Sequence, residues 1–322
     1  MNKRMTVNYK EAEGGMKMKT RLLTLACCLS LSSTLFAAAG TTGAQFLKIN
    51  PSARAAGMAG AFSAVADDVF AIYANPAGLS QLKKAEIAAT YISYFADVKY
   101  GFIGYASQVR DIGVFGFGYT YLLVDQIEKR DVDETKLGDF NAKDTSITVA
   151  YGRNDAIPSV MEGVSVGGSL KVISSEIDQT IAYTGALDLA AMFSPAEKFK
   201  ATLAIQNISA GIKFKEVTDK LPLNVKLGAA YEASPNLTVA ADIDEYLFDN
   251  KFYGSVGGEY LPVEKLALRA GYRIGYDTAS LGQTVGLSIG FGVRIWSAGL
   301  DYAFVPFGDL GDTHRVSFLA KF

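Results

Sequence analysis

The sequence predicts an all-β protein: a transmembrane antiparallel β-barrel of about 14 strands with an N-terminal luminal plug, or hatch, of short helices. Three observations lead to this prediction. They are an apolar export segment near the N-terminus, long stretches in which every second residue is apolar, and connections that alternate between short and long. The composition agrees, because 32 Gly, 17 Tyr and 19 Phe among 322 residues are typical of many strands. A net charge of −2 gives no reason to expect nucleic acid as a partner.

Residues 1–39 are predicted to be a signal peptide. A basic stretch precedes an apolar run from Leu22 to Phe36, and three alanines follow it. This three-part layout is typical of secretory signals, and the run is too short and too rich in Ser and Thr to favour the alternative, a membrane anchor helix. The polar residues before Met16 do not fit the layout, so Met16 and Met18 are alternative start sites. Both cysteines lie inside the run, so cleavage before Gly40 leaves a chain without thiols.

Residues 40–83 form the predicted plug segment. They are rich in Ala and Gly, lack the alternation of the later chain, and contain the turn-forming sequence NPAG. An internal plug is the favoured interpretation, and a periplasmic tail is the alternative. Arg54 with the adjacent acidic residues Asp67 and Asp68 suggests a buried ion pair that pins the plug, with a helix terminus as the alternative. The candidate plug residues are Arg54, Asp67, Asp68, Asn75, Pro76, Ala77 and Gly78.

Residues 84–322 are predicted to form the barrel. In Gln283–Ile295, apolar residues from Val285 to Ile295 occupy every second position and alternate with Gly, Ser, Thr and Arg. A period of two places the apolar residues on one face of a strand. Many stretches reach about ten residues, the length of a tilted strand that crosses a bilayer. A soluble barrel or sandwich and an outer-membrane barrel both remain possible on this pattern alone.

Two further features favour the outer-membrane barrel. Short connections alternate with longer and more polar ones, the longest at residues 125–142, as expected when the barrel ends face the periplasm and the cell exterior. The segment 154–163 is an exception, because it is long where a short turn is expected. The last strand alternates and ends on an aromatic residue, which resembles the C-terminal signal for barrel insertion. Its residues are Val316, Phe318, Ala320 and Phe322.

The sequence contains little material for catalysis. With His314 as its one histidine, it offers no arrangement of nucleophile and base, so neither an enzyme nor a cofactor is expected. The acidic residues between Asp125 and Asp144 are interleaved with basic ones and match no calcium loop, so a solvated outer loop is expected there. Small residues on the polar strand faces predict a roomy lumen. The charged candidates for that lumen are Arg269, Arg273, Asp301 and Arg315.

Several segments resemble known outer-membrane families. RAAGMAGAF at residues 54–62, ADD at 66–68 and NPAGL at 75–79 look like the N-terminal signature of FadL-like barrels. A second group of segments resembles the PorV/PorQ branch of that superfamily: LPLNVKLGAAY at 221–231, LRAGYR at 268–273 and DYAFVPFGDLGDTHR at 301–315. The resemblance covers the chain after residue 40 and implies a barrel of about 14 strands with a hatch in its lumen.

The resemblance also implies a location and two alternative roles. The location is the outer membrane of a Gram-negative-type bacterium, reached by export and with the help of the barrel-assembly machinery. One role is to handle or anchor secreted or surface proteins, as in type IX secretion; the other is passive transport of small hydrophobic molecules. A closed structural barrel that acts only through its surface loops is a third possibility. The expected partners are therefore outer-membrane lipid and either secreted cargo proteins or hydrophobic small molecules, and not nucleic acid.

Overall fold

The computed structural model describes residues 42–95, 97–154 and 163–322. The predicted signal peptide of residues 1–39 lies outside the described residues. Among the described residues, no helix is long and apolar enough to cross a membrane.

Antiparallel strands close into a barrel of 14 strands, which confirms the predicted fold class. In chain order they are β1 (Glu86–Ser93), β2 (Lys99–Val109), β3 (Gly113–Arg130), β4 (Lys136–Arg153), β5 (Val164–Ile177), β6 (Thr180–Ala196), β7 (Phe199–Ile208), β10 (Asn224–Ser234), β11 (Leu237–Tyr246), β12 (Lys251–Val263), β13 (Leu266–Ile274), β14 (Leu287–Ile295), β15 (Ala298–Pro306) and β16 (Asp312–Lys321). Two short strands, β8 (Ile212–Phe214) and β9 (Val217–Asp219), form a separate hairpin in the connection between β7 and β10.

The first and last strands close the barrel. β1 pairs with β16 along its whole length, with Glu86 opposite Lys321. Closure leaves no unpaired sheet edge, which is the condition for placing strands in a bilayer. We call the end of the barrel that carries Glu86 and Lys321 the periplasmic end, because five of the six connections of two or three residues between barrel strands lie there, and the opposite end the outer end.

Alternation along each strand separates a lipid-facing surface from an inner wall. On β14, Leu287, Ile289 and Phe291 are exposed, and Ser288 between them is buried. The exposed residues form an apolar outer surface, as expected of a wall that faces lipid. The buried residues face the lumen, where the plug segment lies.

The prediction of a loop at residues 125–142 is wrong, because most of these residues lie in strands. β3 continues to Arg130 and β4 begins at Lys136, which leaves a short turn at residues 131–135. The outer half of this hairpin has charged residues on both faces, and exposed ion pairs join it to its neighbours: Lys99 Nζ lies 2.8 Å from Asp125 Oδ2, and Lys129 Nζ lies 2.7 Å from Asp178 Oδ2. A hairpin that is solvated on both faces keeps its backbone pairing and loses the period-two pattern of apolar residues.

The plug consists of short helical segments joined by turns. The 3-10 turns Gln45–Lys48 and Pro76–Gln81 lie on either side of the helices Ala53–Gly57 and Ala71–Ala74. Two further short elements, the helix Thr278–Leu281 and the turn Gly308–Leu310, lie in the outer connections. The plug carries its own apolar core, in which Met58, Phe62, Phe70 and Ile72 are almost completely buried.

Candidate functional site

Glycines line the inner wall wherever the plug backbone approaches it. A Cβ atom on Gly257 would lie 2.4 Å from the carbonyl oxygen of Met58, and one on Gly167 would lie 2.3 Å from the backbone nitrogen of Ala77. Real Cβ atoms do not come this close to backbone atoms. The same restriction applies to Gly152 and Gly271, which face plug backbone atoms. At Gly116 and Gly228, a Cβ atom would overlap the plug side chains of Ile72 and Ser63. The small inner residues are therefore required by the close contact between plug and wall.

Replacement of Gly257 by alanine is expected to destabilise the protein by about 1–3 kcal/mol, because the added methyl group overpacks the contact with Met58. Its neighbour Gly258 is a matched control on the same strand, since a Cβ atom there meets nothing closer than Thr238 O at 3.6 Å. Chemical unfolding of both variants in detergent micelles measures the difference. If both substitutions lower the free energy of unfolding equally, the plug does not pack closely against this part of the wall.

The NPAG motif at residues 75–78 fits the plug into the wall. The Asn75 side chain accepts a hydrogen bond from the Ala77 N–H at 3.1 Å and donates one to the carbonyl oxygen of Ser63 at 2.9 Å. Pro76 begins the 3-10 turn, where its missing N–H costs nothing. Ala77 is buried in a cluster with Ala190, Met192 and Ala204. Gly78 has no room for a side chain, because a Cβ atom would lie 2.2 Å from Ala66 O.

Arg54 joins the plug to the wall by ion pairs. Its guanidinium donates two parallel hydrogen bonds to the Glu259 carboxylate, from Nε at 2.9 Å and from Nη2 at 2.7 Å. Its Nη1 contacts Asp67 and lies 3.1 Å from Asp68 Oδ2. Burial raises the pKa of Asp68 to about 6, and the Arg54 guanidinium opposes this rise. The fork of one arginine thus connects two plug carboxylates to β12.

The ion pairs continue along the inner wall. Arg269 Nε lies 2.6 Å from Glu259 and Arg269 Nη1 lies 2.8 Å from Asp301, which also binds Arg294 at 2.9 Å. Two of the luminal candidates, Arg269 and Asp301, therefore lie in the lumen and connect to the plug through Glu259. Sequence reasoning missed Glu259 and Arg294. Glu259 lies two residues after Gly257 on β12, so both residues face the lumen. This spacing is the signal that could have identified Glu259.

A second polar contact holds the plug near Ser63. Asp242 on β11 accepts hydrogen bonds from the Ser63 N–H and the Ser63 hydroxyl, both at 2.9 Å. The same hydroxyl lies 3.0 Å from Thr202 Oγ1 on β7. This contact explains why no side chain fits at Gly228, where a Cβ atom would overlap Ser63 Oγ. The plug is thus tied to β7 and β11 in addition to β12.

The other two luminal candidates lie in a cavity at the outer end, above the plug. Arg273 and Arg315 line this outer cavity, whose volume is about 280 Å³. A second cavity of about 370 Å³ opens at the periplasmic end and is lined by Arg54, Asp67 and Lys321 among others. The two cavities share no lining residue. The plug therefore lies between them.

The residues of the predicted insertion signal lie on and directly after β16, the last strand. Val316 and Phe318 face outward and are exposed, and the Phe322 N–H donates to the carbonyl oxygen of Ala85 at 2.9 Å. Ala320 lies on the same strand, opposite Ile87. The role of these residues as an insertion signal stays a prediction. His314 Nδ1 lies 2.7 Å from the Tyr302 hydroxyl on the exposed face, and among the described residues no three His, Cys, Asp or Glu are grouped so as to hold a metal ion.

A closed barrel with an apolar outer surface and a lumen filled by the preceding segment defines an outer-membrane β-barrel protein. The family model described as "Type IX secretion system protein PorV" matches residues 35–247. The chain therefore belongs to the PorV family, and the predicted resemblance is confirmed. Comparison with curated proteins finds no match.

Solved structures of FadL-family transporters have the same fold. The toluene transporter TbuX of Ralstonia pickettii aligns with a TM-score of 0.59 and 12% identity, over 85% of this chain and 98% of the transporter. A Pseudomonas aeruginosa FadL homologue aligns with a TM-score of 0.54 and 13% identity, over 83% of this chain and 97% of the homologue. The P. putida toluene transporter TodX aligns with a TM-score of 0.54 and 11% identity, over 79% and 94%. At these identities the likeness concerns the fold alone.

Proposed function

We propose that this outer-membrane barrel is not an enzyme and that it handles or anchors secreted or surface proteins in a type IX secretion pathway. The PorV family match supports this role. The observation that carries the proposal is the buried link from Arg54 to Glu259, which ties the plug to the wall. Passage through the lumen would require this link to break, and breaking a buried ion pair is costly. The outer loops are then the surfaces through which the protein acts.

Passive transport of small hydrophobic molecules is the second candidate function. The fold likeness to toluene transporters supports it. A transport route of this kind needs an apolar pocket against the plug. The outer cavity instead contains three cationic side chains, those of Lys48, Arg273 and Arg315. An unpaired buried charge among these side chains disfavours an uncharged hydrocarbon, so the cavity supports the protein-handling role over hydrocarbon transport.

The β3–β4 hairpin is the outer surface that we assign to protein partners. Its strands are 18 residues long each, well beyond the length of about 9–11 residues that crosses a bilayer. The hairpin therefore projects from the membrane. Apolar side chains near its tip, Val132 and Leu137, are fully or largely exposed, and exposed apolar groups on a projecting element are typical of contact surfaces.

Site-specific photo-cross-linking in the native host tests this proposal. A photoreactive residue at Val132 is expected to yield an adduct with a secreted protein or a component of the type IX machinery, identified by mass spectrometry. Ile289, which faces lipid, and Trp296, in a turn at the periplasmic end, are control positions and should not yield that adduct. Absence of the adduct at Val132, together with loss of toluene uptake in a deletion strain, would favour the transporter instead.

A further inference from the structure

The outer cavity combines a buried cation with a belt of aromatic rings. We propose that it is a binding site for a small aromatic carboxylate. The site is separate from the β3–β4 hairpin, so the inference goes beyond the proposed secretion role and does not depend on it.

Arg315 supplies the charge. It is 6% exposed, and its Nη1 donates a hydrogen bond to the carbonyl oxygen of Asn50 at 2.9 Å. Within the described part of the chain, no carboxylate lies within 4.0 Å of its guanidinium, and its Nε is buried without a hydrogen-bond partner. A buried cation without a counter-ion is unfavourable, and an anion in the cavity would compensate its charge.

The other cations of the cavity already have carboxylate partners. Lys48 Nζ lies 2.6 Å from Asp249, and Arg273 Nη2 lies 3.2 Å from Asp244. Arg315 is thus the lining cation that remains to be neutralised. One uncompensated guanidinium matches a monoanion, and its planar fork fits a carboxylate.

Five aromatic rings line another part of the cavity. Their centroids follow one another at 6.0, 5.3, 6.0 and 5.7 Å. The rings, in that order, are those of Tyr246, Tyr253, Tyr276, Phe307 and Tyr94. Both arginines lie next to this belt, with the Arg273 guanidinium 4.4 Å from the Tyr253 ring centroid and the Arg315 guanidinium 6.0 Å from that of Tyr94. Aromatic surfaces of this kind stack on a planar apolar group.

The size of the cavity limits the ligand. Its volume of about 280 Å³ lies just below the usual range of ligand-binding cavities, which begins at about 300 Å³. A single aromatic ring with a short acid chain fits within this volume. The guanidinium of Arg315 and the aromatic belt therefore favour a phenyl-substituted short-chain carboxylate.

Calorimetric titration of the purified protein in detergent with 3-phenylpropanoate and with its neutral amide tests the assignment. The acid is expected to bind at least about tenfold more tightly than the amide, because only the acid forms a charge-assisted hydrogen bond with Arg315. This comparison needs no variant. Equal affinity for acid and amide, or no binding of the acid at millimolar concentration, would overturn the proposal.

Variants of Arg315 test whether the acid binds in the outer cavity. Arg315→Gln is expected to weaken acid binding by about tenfold or more, and Arg315→Lys is expected to retain part of it. Arg294→Gln is the matched control, because Arg294 lines the periplasmic cavity and not the outer one. Circular dichroism verifies that each variant is folded. If the acid binds a folded Arg315→Gln protein as tightly as the wild type, the site is not where we place it.

Discussion

Replacement of Arg54 by methionine is expected to lower the stability of the plugged barrel by about 3–5 kcal/mol. The substitution leaves Glu259 on the wall and Asp68 on the plug buried without the guanidinium that joins them. Glu259 keeps its second partner, Arg269, at 2.6 Å. The loss therefore reflects mainly Asp68, whose one ion pair among the described residues is with Arg54, because a buried charge without its partner is costly. The plug is expected to leave the lumen before the barrel unfolds, since the backbone pairing of the strands does not depend on Arg54.

Limited proteolysis and chemical unfolding measure this effect. In the Arg54→Met protein, residues 42–83 should become cleavable while the barrel resists the protease. Arg294→Met is the control, because Asp301 keeps its second partner Arg269 when Arg294 is removed, and Arg294 is more exposed. We expect a loss of about 1 kcal/mol or less for this control. A plug that stays protected in Arg54→Met would show that other contacts, such as Ser63 with Asp242, hold it alone.

Replacement of Ile289 by arginine is expected to destabilise the barrel in lipid by about 2–4 kcal/mol. Ile289 is the third of the nine residues of β14, lies on its outward face and is 59% exposed. In a bilayer this exposure is contact with hydrocarbon, where a charged side chain loses its hydration. The same substitution in a soluble barrel would cost little.

The control for Ile289 is the same change at Ile295. Ile295 lies on the same face at the periplasmic end of the strand, where an arginine reaches the headgroups and should cost about 0–1 kcal/mol. Reversible unfolding in phospholipid vesicles compares the two variants. Similar losses at the two positions would contradict the assignment of this face to the membrane core.

The faces of the strands could be predicted from the sequence, because lipid outside and small residues inside impose a period of two. β14 is the clearest case, since alternate residues from Leu287 to Ile295 face outward in the structure. The extent of β3 and β4 could not be predicted in this way. Their outer halves are solvated on both faces, so pairing continues there without any apolar alternation.

Only some of the contacts of the plug could be predicted from the sequence. Arg54, Asp67 and Asp68 could be grouped because they are close in the chain. Glu259 could not be joined to them, because the pairing depends on where the plug lies against β12, 205 residues further along the chain. The number of glycines could be read from the sequence, but the reason for those of the inner wall is close contact with particular plug atoms, such as that between Gly257 and Met58.

We infer that the plug stays in the lumen while the protein works. A disulfide between plug and wall tests this inference most directly. The Ser63 and Thr202 hydroxyl oxygens lie 3.0 Å apart, so cysteines at these two positions should be bridged by mild oxidation, and residues 42–322 contain no other cysteine. The measurement is the amount of type IX cargo at the surface of cells that carry only the locked protein. We predict an unchanged amount, because in our proposal the partners contact the outer loops and not the lumen. Loss of surface cargo on locking, restored by a reductant, would contradict the account.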